Sequence, residues 1–220
     1  MDTIASLIKN HRLYGDFRRI KDTLAVHQFV CWIAGGAVRD FLLGREVSEF
    51  DLVTDATTEV LKQLFPQAVL VGESFGVIKV SFNAGRDFFD LATFREEADY
   101  VDGRRPSLVK SSTPTADSIR RDFTVNAIFW DDANAVVRDY QGGVYDLQSR
   151  LLRCVGSPQV RFSEVPFGDF HIDFKLNSFT RASSGVIVAH LIPTLYFLIA
   201  SAASTVTWSP VLSRCSIPKS

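Results

Sequence analysis

The spacing of hydrophobic residues changes several times along the chain, and each change predicts a new element. Residues 3–28 carry apolar side chains at approximately helical spacing, with a break near Gly15, which predicts an N-terminal helical segment. Later apolar runs are short and bounded by Gly, Asn, Asp or Pro, as is typical of strands. Strands are predicted over residues 30–34, 49–54, 68–71, 77–82, 88–94, 128–130, 135–140 and 151–156. The polar residues 96–118, with their Gly and Pro, predict a mobile loop.

Composition limits the chain to one substantial domain with at most a small appendage. It has 220 residues, of which 46% are hydrophobic, and this is enough to build a globular core. The net charge of −1 creates no overall field that would attract nucleic acid. Any affinity for RNA must therefore come from local basic patches such as Arg104–Arg105 and Arg120–Arg121.

Cysteine usage favours a reducing compartment. The three cysteines are far apart and show no metal-ligand spacing, and Cys31 and Cys154 stand in apolar contexts, where we expect reduced core residues. The first residues do not resemble a secretory signal. We therefore expect a cytoplasmic protein without stable membrane association.

The apolar run 185–203 is long enough to span a bilayer thinly, but it contains His190 and Pro193, so a membrane-anchored module is the weakest alternative.

A Gly-Gly turn between the first strand and a helix predicts a phosphate site. Gly35 and Gly36 let the backbone turn tightly and leave N–H groups open to a ligand. The N-terminus of the following helix favours negative charge, and Arg39 adds a cation about one turn later. The alternative is a purely structural turn.

Three carboxylates predict a divalent metal site. Glu49 and Asp51 point to one face of their strand, with Phe50 and Leu52 on the other. Two adjacent carboxylates repel each other unless a cation lies between them. Asp90 completes the site if its strand lies beside that of Asp51. The alternatives are solvated surface acids and, for Asp90, a hydrogen-bonded residue of an edge strand.

A second polar motif follows the predicted loop. Arg120, Arg121, Asp122 and Asn126 alternate with apolar residues, and together they offer groups that bind a phosphate and a ribose hydroxyl. A salt bridge beside a cap is the alternative interpretation of the same residues.

These motifs together resemble the head domain of bacterial-type tRNA nucleotidyltransferases (CCA-adding enzymes) and poly(A) polymerases, within the polymerase-β-like superfamily. The resemblance covers residues 28–164. It rests on Gly-Gly-x-Val-Arg-Asp-x-Leu-Leu-Gly over 35–44, acid-x-Asp over 49–51, Tyr100 with Arg104-Arg105-Pro106, and Arg-Arg-Asp-Phe-Thr-x-Asn-Ala over 120–127. The family usually has Asp where this chain has Glu49.

The resemblance implies an α/β fold of the polymerase-β-like nucleotidyltransferase head type, with a mixed sheet and helices packed on it. It implies transfer of AMP or CMP from ATP or CTP to the 3′ end of tRNA or another RNA, by two-metal catalysis with Mg²⁺. The implied catalytic and metal-binding residues are Glu49, Asp51 and Asp90. The implied nucleotide-binding residues are Gly35, Gly36, Arg39, Asp40, Arg95, Arg121, Asp122 and Asn126, and Arg104 and Arg105 are the implied RNA-binding residues.

Domain boundaries follow from where the resemblance begins and ends. We expect an N-terminal helical segment over 1–27, the head over 28–164 and an atypical tail over 165–220. In the family the head continues into a helix that reads the base, whereas here Pro166 and Gly168 oppose a helix. We therefore expect a reading frame or gene end altered after about Glu164, with a non-native or disordered tail. Two alternatives to CCA addition stay open, namely polyadenylation and a truncated, catalytically impaired nucleotide-binding head.

Overall fold

The computed structural model describes residues 3–71, 76–82, 85–100, 106–157 and 186–187. The helices are α1 Ile4–Lys9, α2 Tyr14–Val26, α3 Gly36–Leu42, α4 Thr58–Leu64, α5 Pro114–Ile119 and α6 Gly143–Gln148. The strands are β1 Cys31–Ala34, β2 Phe50–Thr54, β3 Val69–Val71, β4 Val77–Phe82, β5 Asp87–Thr93, β6 Arg95–Tyr100, β7 Pro106–Ser111, β8 Ile128–Asp131, β9 Val136–Asp139, β10 Leu152–Arg153 and β11 Val186–Ile187. A short 3₁₀ turn covers Thr124–Asn126.

Seven of these strands form one mixed sheet, in the order β3-β4-β5-β2-β1-β8-β9. The central pair β2 and β5 is parallel, and the other neighbours in this sheet are antiparallel. The predicted mixed, partly antiparallel sheet is therefore confirmed. The hairpin of β6 and β7 and the short pair of β10 and β11 lie outside it.

One face of the sheet carries the main hydrophobic core. Alternate strand residues such as Phe50, Leu52 and Phe89 are buried there, because successive side chains of a strand point to opposite faces. Helices α1 to α4 contribute the other half of this core, for example Phe17 of α2. Thr57 accepts a hydrogen bond from the backbone N–H of Val60 and so caps the N-terminus of α4.

The opposite face carries a smaller aromatic cluster and the predicted site. Trp32, Phe94 and Phe129 pack against one another there at ring-centroid distances of 5.3 to 6.3 Å. Asp51 and Asp90 belong to the same face, since the residues on either side of each are buried in the main core. The hydrophobic alternation thus decides which face holds the acids.

One sequence prediction about local structure is shifted by a few residues and another is wrong. The N-terminal helical segment does break, but at residues 10–13, just before Gly15, which itself lies inside α2. Leu13 turns into the core at this break, only 2% exposed, so tertiary packing sets the position of the break. Residues 96–118 do not form a loop throughout, because β6 pairs with β7 and α5 follows. The strands β6 and β7 pair through their backbones without the alternating apolar pattern from which strands are predicted.

The predicted tail over 165–220 falls outside the described residues except for β11, which pairs with β10. The predicted boundaries of the three segments therefore stay predictions. Within the described ranges, every helix falls short of the length and apolar character that crossing a bilayer requires.

Gly143 provides a direct test of the packing beneath the second polar motif. A Cβ at this position would lie 2.1 Å from the carbonyl oxygen of Thr124, and backbone at that distance must shift. We expect Gly143→Ala to lower the free energy of unfolding by about 1–3 kcal/mol or more. Chemical denaturation followed by circular dichroism measures the change.

Gly15→Ala is the matched control, because nothing lies within 4 Å of the added methyl group. This residue is inside α2, so the substitution should raise stability by about 0.5–1 kcal/mol. Equal effects of the two substitutions would contradict the described packing of α6 against the 3₁₀ turn.

Candidate active site

The acids predicted to form the metal site lie on adjacent strands. Asp51 of β2 is the register partner of Asp90 of β5 in the parallel pair, as the sequence analysis required. Glu49 stands just before β2 and is exposed, as is Asp51, whereas Phe50 and Leu52 are buried. Asp90 is not on an edge strand, because β5 lies between β4 and β2.

The pKa of Asp51 is raised above its ordinary value by removal from water and by the neighbouring acids. Partial removal of its carboxylate from water raises the pKa, and the negative charges of Glu49 and then Asp90 raise it further. The cations Arg121 and Lys79 oppose this rise but do not cancel it. The acids therefore form a local concentration of negative charge, which attracts a cation.

Lys79 of β4 is the register partner of Asp90 on its other side. Its Nζ atom lies 3.0 Å from Oδ1 of Asp90. Sequence reasoning did not select this residue, because it sits in an ordinary alternating strand. The pairing of β4 with β5 brings it to the acids.

The Gly-Gly turn fits closely against the second polar motif. Gly35 has a φ of 65°, a backbone conformation that glycine adopts without strain. A Cβ on Gly35 would lie 3.1 Å from Nη1 of Arg121 and 3.4 Å from the carbonyl oxygen of Asn126. Absence of a side chain at Gly35 thus permits the close approach of the two motifs, and α3 begins directly afterwards at Gly36.

A chain of hydrogen bonds joins the polar residues of both motifs. Arg39 donates to Oδ1 of Asn126 at 2.7 Å and to the carboxylate of Asp40 at 2.8 and 3.0 Å. Asn126 in turn donates through Nδ2 to Asp122 at 3.1 and 3.3 Å. The structure therefore brings together four residues that lie up to 87 positions apart in the sequence, namely Asp122, Asn126, Arg39 and Asp40. Arg39 is only 5% exposed, and its guanidinium holds Asn126 in place.

Arg121 is fixed from three directions. It donates to Asp117 at 3.1 Å and to the carbonyl oxygen of Asn126 at 3.1 Å, and its guanidinium lies 4.8 Å from the ring centre of Phe129. Its charge also acts on Asp51, so the acids and the second motif share one electrostatic site. The backbone N–H of Arg95 donates to the same Asp117 at 3.3 Å, which places Arg95 beside this cluster.

Asp117 is the important residue that sequence reasoning missed. It is fully buried and binds both Arg120 and Arg121. Burial alone would raise its pKa, but the charges of Arg121 and Arg120 outweigh this and lower it. Arg120 and Arg121 follow Asp117 by three and four residues, a spacing that indicates ion pairs on a helix. Sequence reasoning did not use this signal, because the segment up to residue 118 was interpreted as a loop.

Asp51 and Asp90 offer the donor chemistry of a divalent-cation site from adjacent positions on two strands. Carboxylate oxygens are the ligands that Mg²⁺ prefers, and Oδ1 of Asp90 is sealed from solvent without a directed hydrogen bond from any described residue. Within the described ranges no three carboxylate, imidazole or thiol side chains converge closely enough to surround an ion. The predicted RNA-binding residues Arg104 and Arg105 lie outside the described residues.

Comparison with known proteins assigns this arrangement to a family. A sequence profile described as the poly A polymerase head domain matches residues 31–153, more than half of the chain. The chain belongs to the poly A polymerase head domain family. The resemblance inferred from the motifs is thereby confirmed, and the matched residues include both polar motifs and all three acids.

Individual relatives of this head domain are CCA-adding enzymes. The chain is 38% identical over 153 residues to that of Staphylococcus aureus strain MRSA252, and 39% identical over 146 residues to that of Bacillus pumilus strain SAFR-032. These alignments cover 69% and 66% of this chain but only 38% and 36% of the relatives. The head domain therefore spans well under half the length of the curated relatives that it matches.

A solved structure supports the fold of this head domain. The Bacillus stearothermophilus CCA-adding enzyme in complex with CTP superposes with a TM-score of 0.59 and 29% sequence identity. The superposition covers 69% of this chain and 36% of that one. The predicted fold class is thereby confirmed.

Replacement of Asp51 by Asn should stabilise the metal-free protein. Because the folded-state pKa of Asp51 is raised, its ionised form destabilises the fold at neutral pH. The gain should be about 0.5 kcal/mol, in the range of exposed charge interactions. It should be full above the folded-state pKa and should disappear as the pH falls through that value and below the ordinary Asp value of about 3.9. Thermal unfolding in the presence of EDTA between pH 3 and pH 8 measures this dependence.

Asp22→Asn is the control for this experiment. Asp22 forms an exposed pair with Arg18, at 3.4 Å, and the substitution makes the same chemical change away from the acids. A loss of stability for Asp51→Asn at pH 7 would contradict the repulsion described above.

Proposed function

We propose that this head domain transfers AMP and CMP from ATP and CTP to the 3′ end of tRNA, as in CCA addition. The observation that carries the proposal is the register of Asp51 with Asp90 on one sheet face, next to Arg121 of the second polar motif. Carboxylates suited to a metal ion and a cation suited to phosphate are thus adjacent, as nucleotidyl transfer requires. The similarity to CCA-adding enzymes, one of them in complex with CTP, supports the choice of reaction.

Glu49, Asp51 and Asp90 are the proposed metal ligands, and we propose Mg²⁺ as the metal because all three offer hard oxygen donors. When bound, Mg²⁺ lowers the pKa of the attacking 3′-hydroxyl and stabilises negative charge on the leaving pyrophosphate. The acids hold their places through the buried residues on the other face of β2 and β5, such as Leu52 and Phe89.

The nucleotide is proposed to bind against the joined polar motifs. Gly35 and Gly36 are the proposed backbone contacts of the triphosphate, and Arg121, which packs closely against Gly35, supplies a fixed positive charge beside it. Asp122 and Asn126 offer acceptor and donor groups for the ribose hydroxyls, and their mutual hydrogen bonds set their orientation. Three further residues act around them. Arg39, together with Asp40, orients Asn126, and Arg95 lies at the cluster that anchors Arg121.

Arg104 and Arg105 are the proposed RNA-binding residues, on the strength of their match to the family motif. A cytoplasmic location is part of the same proposal, since Cys31 and Cys154 are buried free thiols, as is usual in a reducing compartment.

The first test is incorporation of labelled ATP and CTP into tRNA lacking its 3′ CCA, with Mg²⁺ present. Asp51→Ala should reduce incorporation by about a thousandfold or more, because the metal contributes several kcal/mol to the transition state. Asp22→Ala is the matched control and should keep the activity of the unchanged chain.

The pattern of incorporation separates the alternatives. Ordered addition of C, C and A supports CCA addition, whereas a run of A alone supports polyadenylation. Absence of incorporation by the unchanged chain, with nucleotide binding retained in equilibrium dialysis, would replace the proposal with a nucleotide-binding head that does not turn over. Glu49 is the residue that favours this second candidate.

Glu49→Asp should raise incorporation several-fold. Glutamate extends one methylene further than aspartate, and Mg²⁺ tolerates poor octahedral geometry badly, so the shorter side chain should hold the ion better. Glu46→Asp, an exposed position before β2, is the control. Unchanged or lower turnover with Glu49→Asp would show that metal geometry at this position does not limit the reaction.

A further inference from the structure

We propose that Lys79 is a built-in counter-cation of Asp90 that a divalent metal must displace, so that Lys79 lowers the affinity of the acids for metal. The inference rests on the proposed function only in taking Glu49, Asp51 and Asp90 as metal ligands. It makes Lys79 a positioning residue that controls when the site is loaded.

The register of three neighbouring strands places Lys79 beside the acids. Lys79 of β4, Asp90 of β5 and Asp51 of β2 are consecutive partners in one row across the sheet. The residues that flank Lys79, namely Ile78 and Val80, are buried in the main core. Its side chain therefore emerges on the same face as the acids, at the end of their row.

The contact itself is an ion pair and not a directed hydrogen bond. Nζ of Lys79 lies 3.0 Å from Oδ1 of Asp90, yet this oxygen accepts no well-aligned hydrogen bond from the described residues. This oxygen is sealed from solvent, and the ammonium of Lys79 lies against it. The ammonium therefore occupies the side of Asp90 from which this oxygen would contact a metal ion. Two cations on one carboxylate repel each other, so a metal ion bound at Asp90 and the ammonium of Lys79 compete.

The ion pair is weak enough for this competition to occur. The side chains of Lys79 and Asp90 are 38% and 42% exposed, and pairs as exposed as these contribute about 0–1 kcal/mol. The ammonium also lies 5.7 Å from the ring centre of Phe88, which is itself exposed. This ring offers the displaced ammonium a second favourable contact on the same face.

Mn²⁺ binding by the full chain tests the inference without any catalytic turnover. Free Mn²⁺ is measured by electron paramagnetic resonance during titration, with no nucleotide or RNA present. Removal of the competing charge in Lys79→Met should tighten Mn²⁺ binding by about tenfold, whereas Lys79→Arg should keep the affinity of the unchanged chain. Lys62→Met, an exposed residue of α4, makes the same change in net charge and should have no effect beyond twofold.

A second background tests whether Lys79 acts through Asp90. In a chain that already carries Asp90→Asn, adding Lys79→Met should leave Mn²⁺ affinity unchanged, because the carboxylate on which the two cations compete is absent. A tenfold gain in this background would overturn the inference, since it would show a general field effect of Lys79.

Failure of this inference and failure of the proposed metal site give different results. If Asp51→Asn abolishes Mn²⁺ binding while Lys79→Met matches the unchanged chain, only the role of Lys79 is overturned. If neither the unchanged chain nor Lys79→Met binds Mn²⁺, the acids are not a metal site and both proposals are overturned. Circular dichroism of each variant checks that the fold is retained.

Discussion

The parallel pairing of β2 with β5 is the constraint on which the site depends. Asp51 and Asp90 repel each other, so their proximity needs a stabilising cause elsewhere. That cause is burial of Phe50, Leu52, Phe89 and their neighbours on the opposite face, where a slip of one residue would expose every one of them. Hydrophobic burial amounts to about 1.5–3 kcal/mol for each large side chain, which exceeds the repulsion of two partly solvated carboxylates. The core on one face therefore maintains an unfavourable arrangement of charge on the other.

The two halves of the site are in opposite electrostatic conditions. On the side of the polar motifs, the buried charges are paired: Asp117 binds Arg120 and Arg121, and Arg39 binds Asp40. On the side of the acids, negative charge is in excess, and Lys79 and Arg121 offset only part of it. The paired half contributes to stability, while the unpaired half lowers it. This division is typical of sites in which residues are arranged for a ligand.

Much of the fold and of the candidate site could be predicted from the sequence, for two physical reasons. The period-two alternation around Asp51 and Asp90 decides strand faces locally, and the glycines and arginines of the motifs stand close together in the sequence. Contacts that depend on tertiary packing could not be predicted. The helix break at residues 10–13 follows burial of Leu13, and the pairing of β6 with β7 follows backbone hydrogen bonds. The partnership of Asp117 with its arginines follows from α5, and that of Lys79 with Asp90 follows from the pairing of β4 with β5.

The fixation of Arg121 has a consequence for the thermodynamics of ligand binding. A free arginine side chain loses about 2 kcal/mol of rotamer entropy when it is immobilised. In this fold the loss occurs during folding, because Asp117, the carbonyl oxygen of Asn126 and the ring of Phe129 already hold the guanidinium. An anion that binds beside Arg121 therefore meets a preorganised partner, and its binding free energy is not reduced by the cost of ordering that side chain.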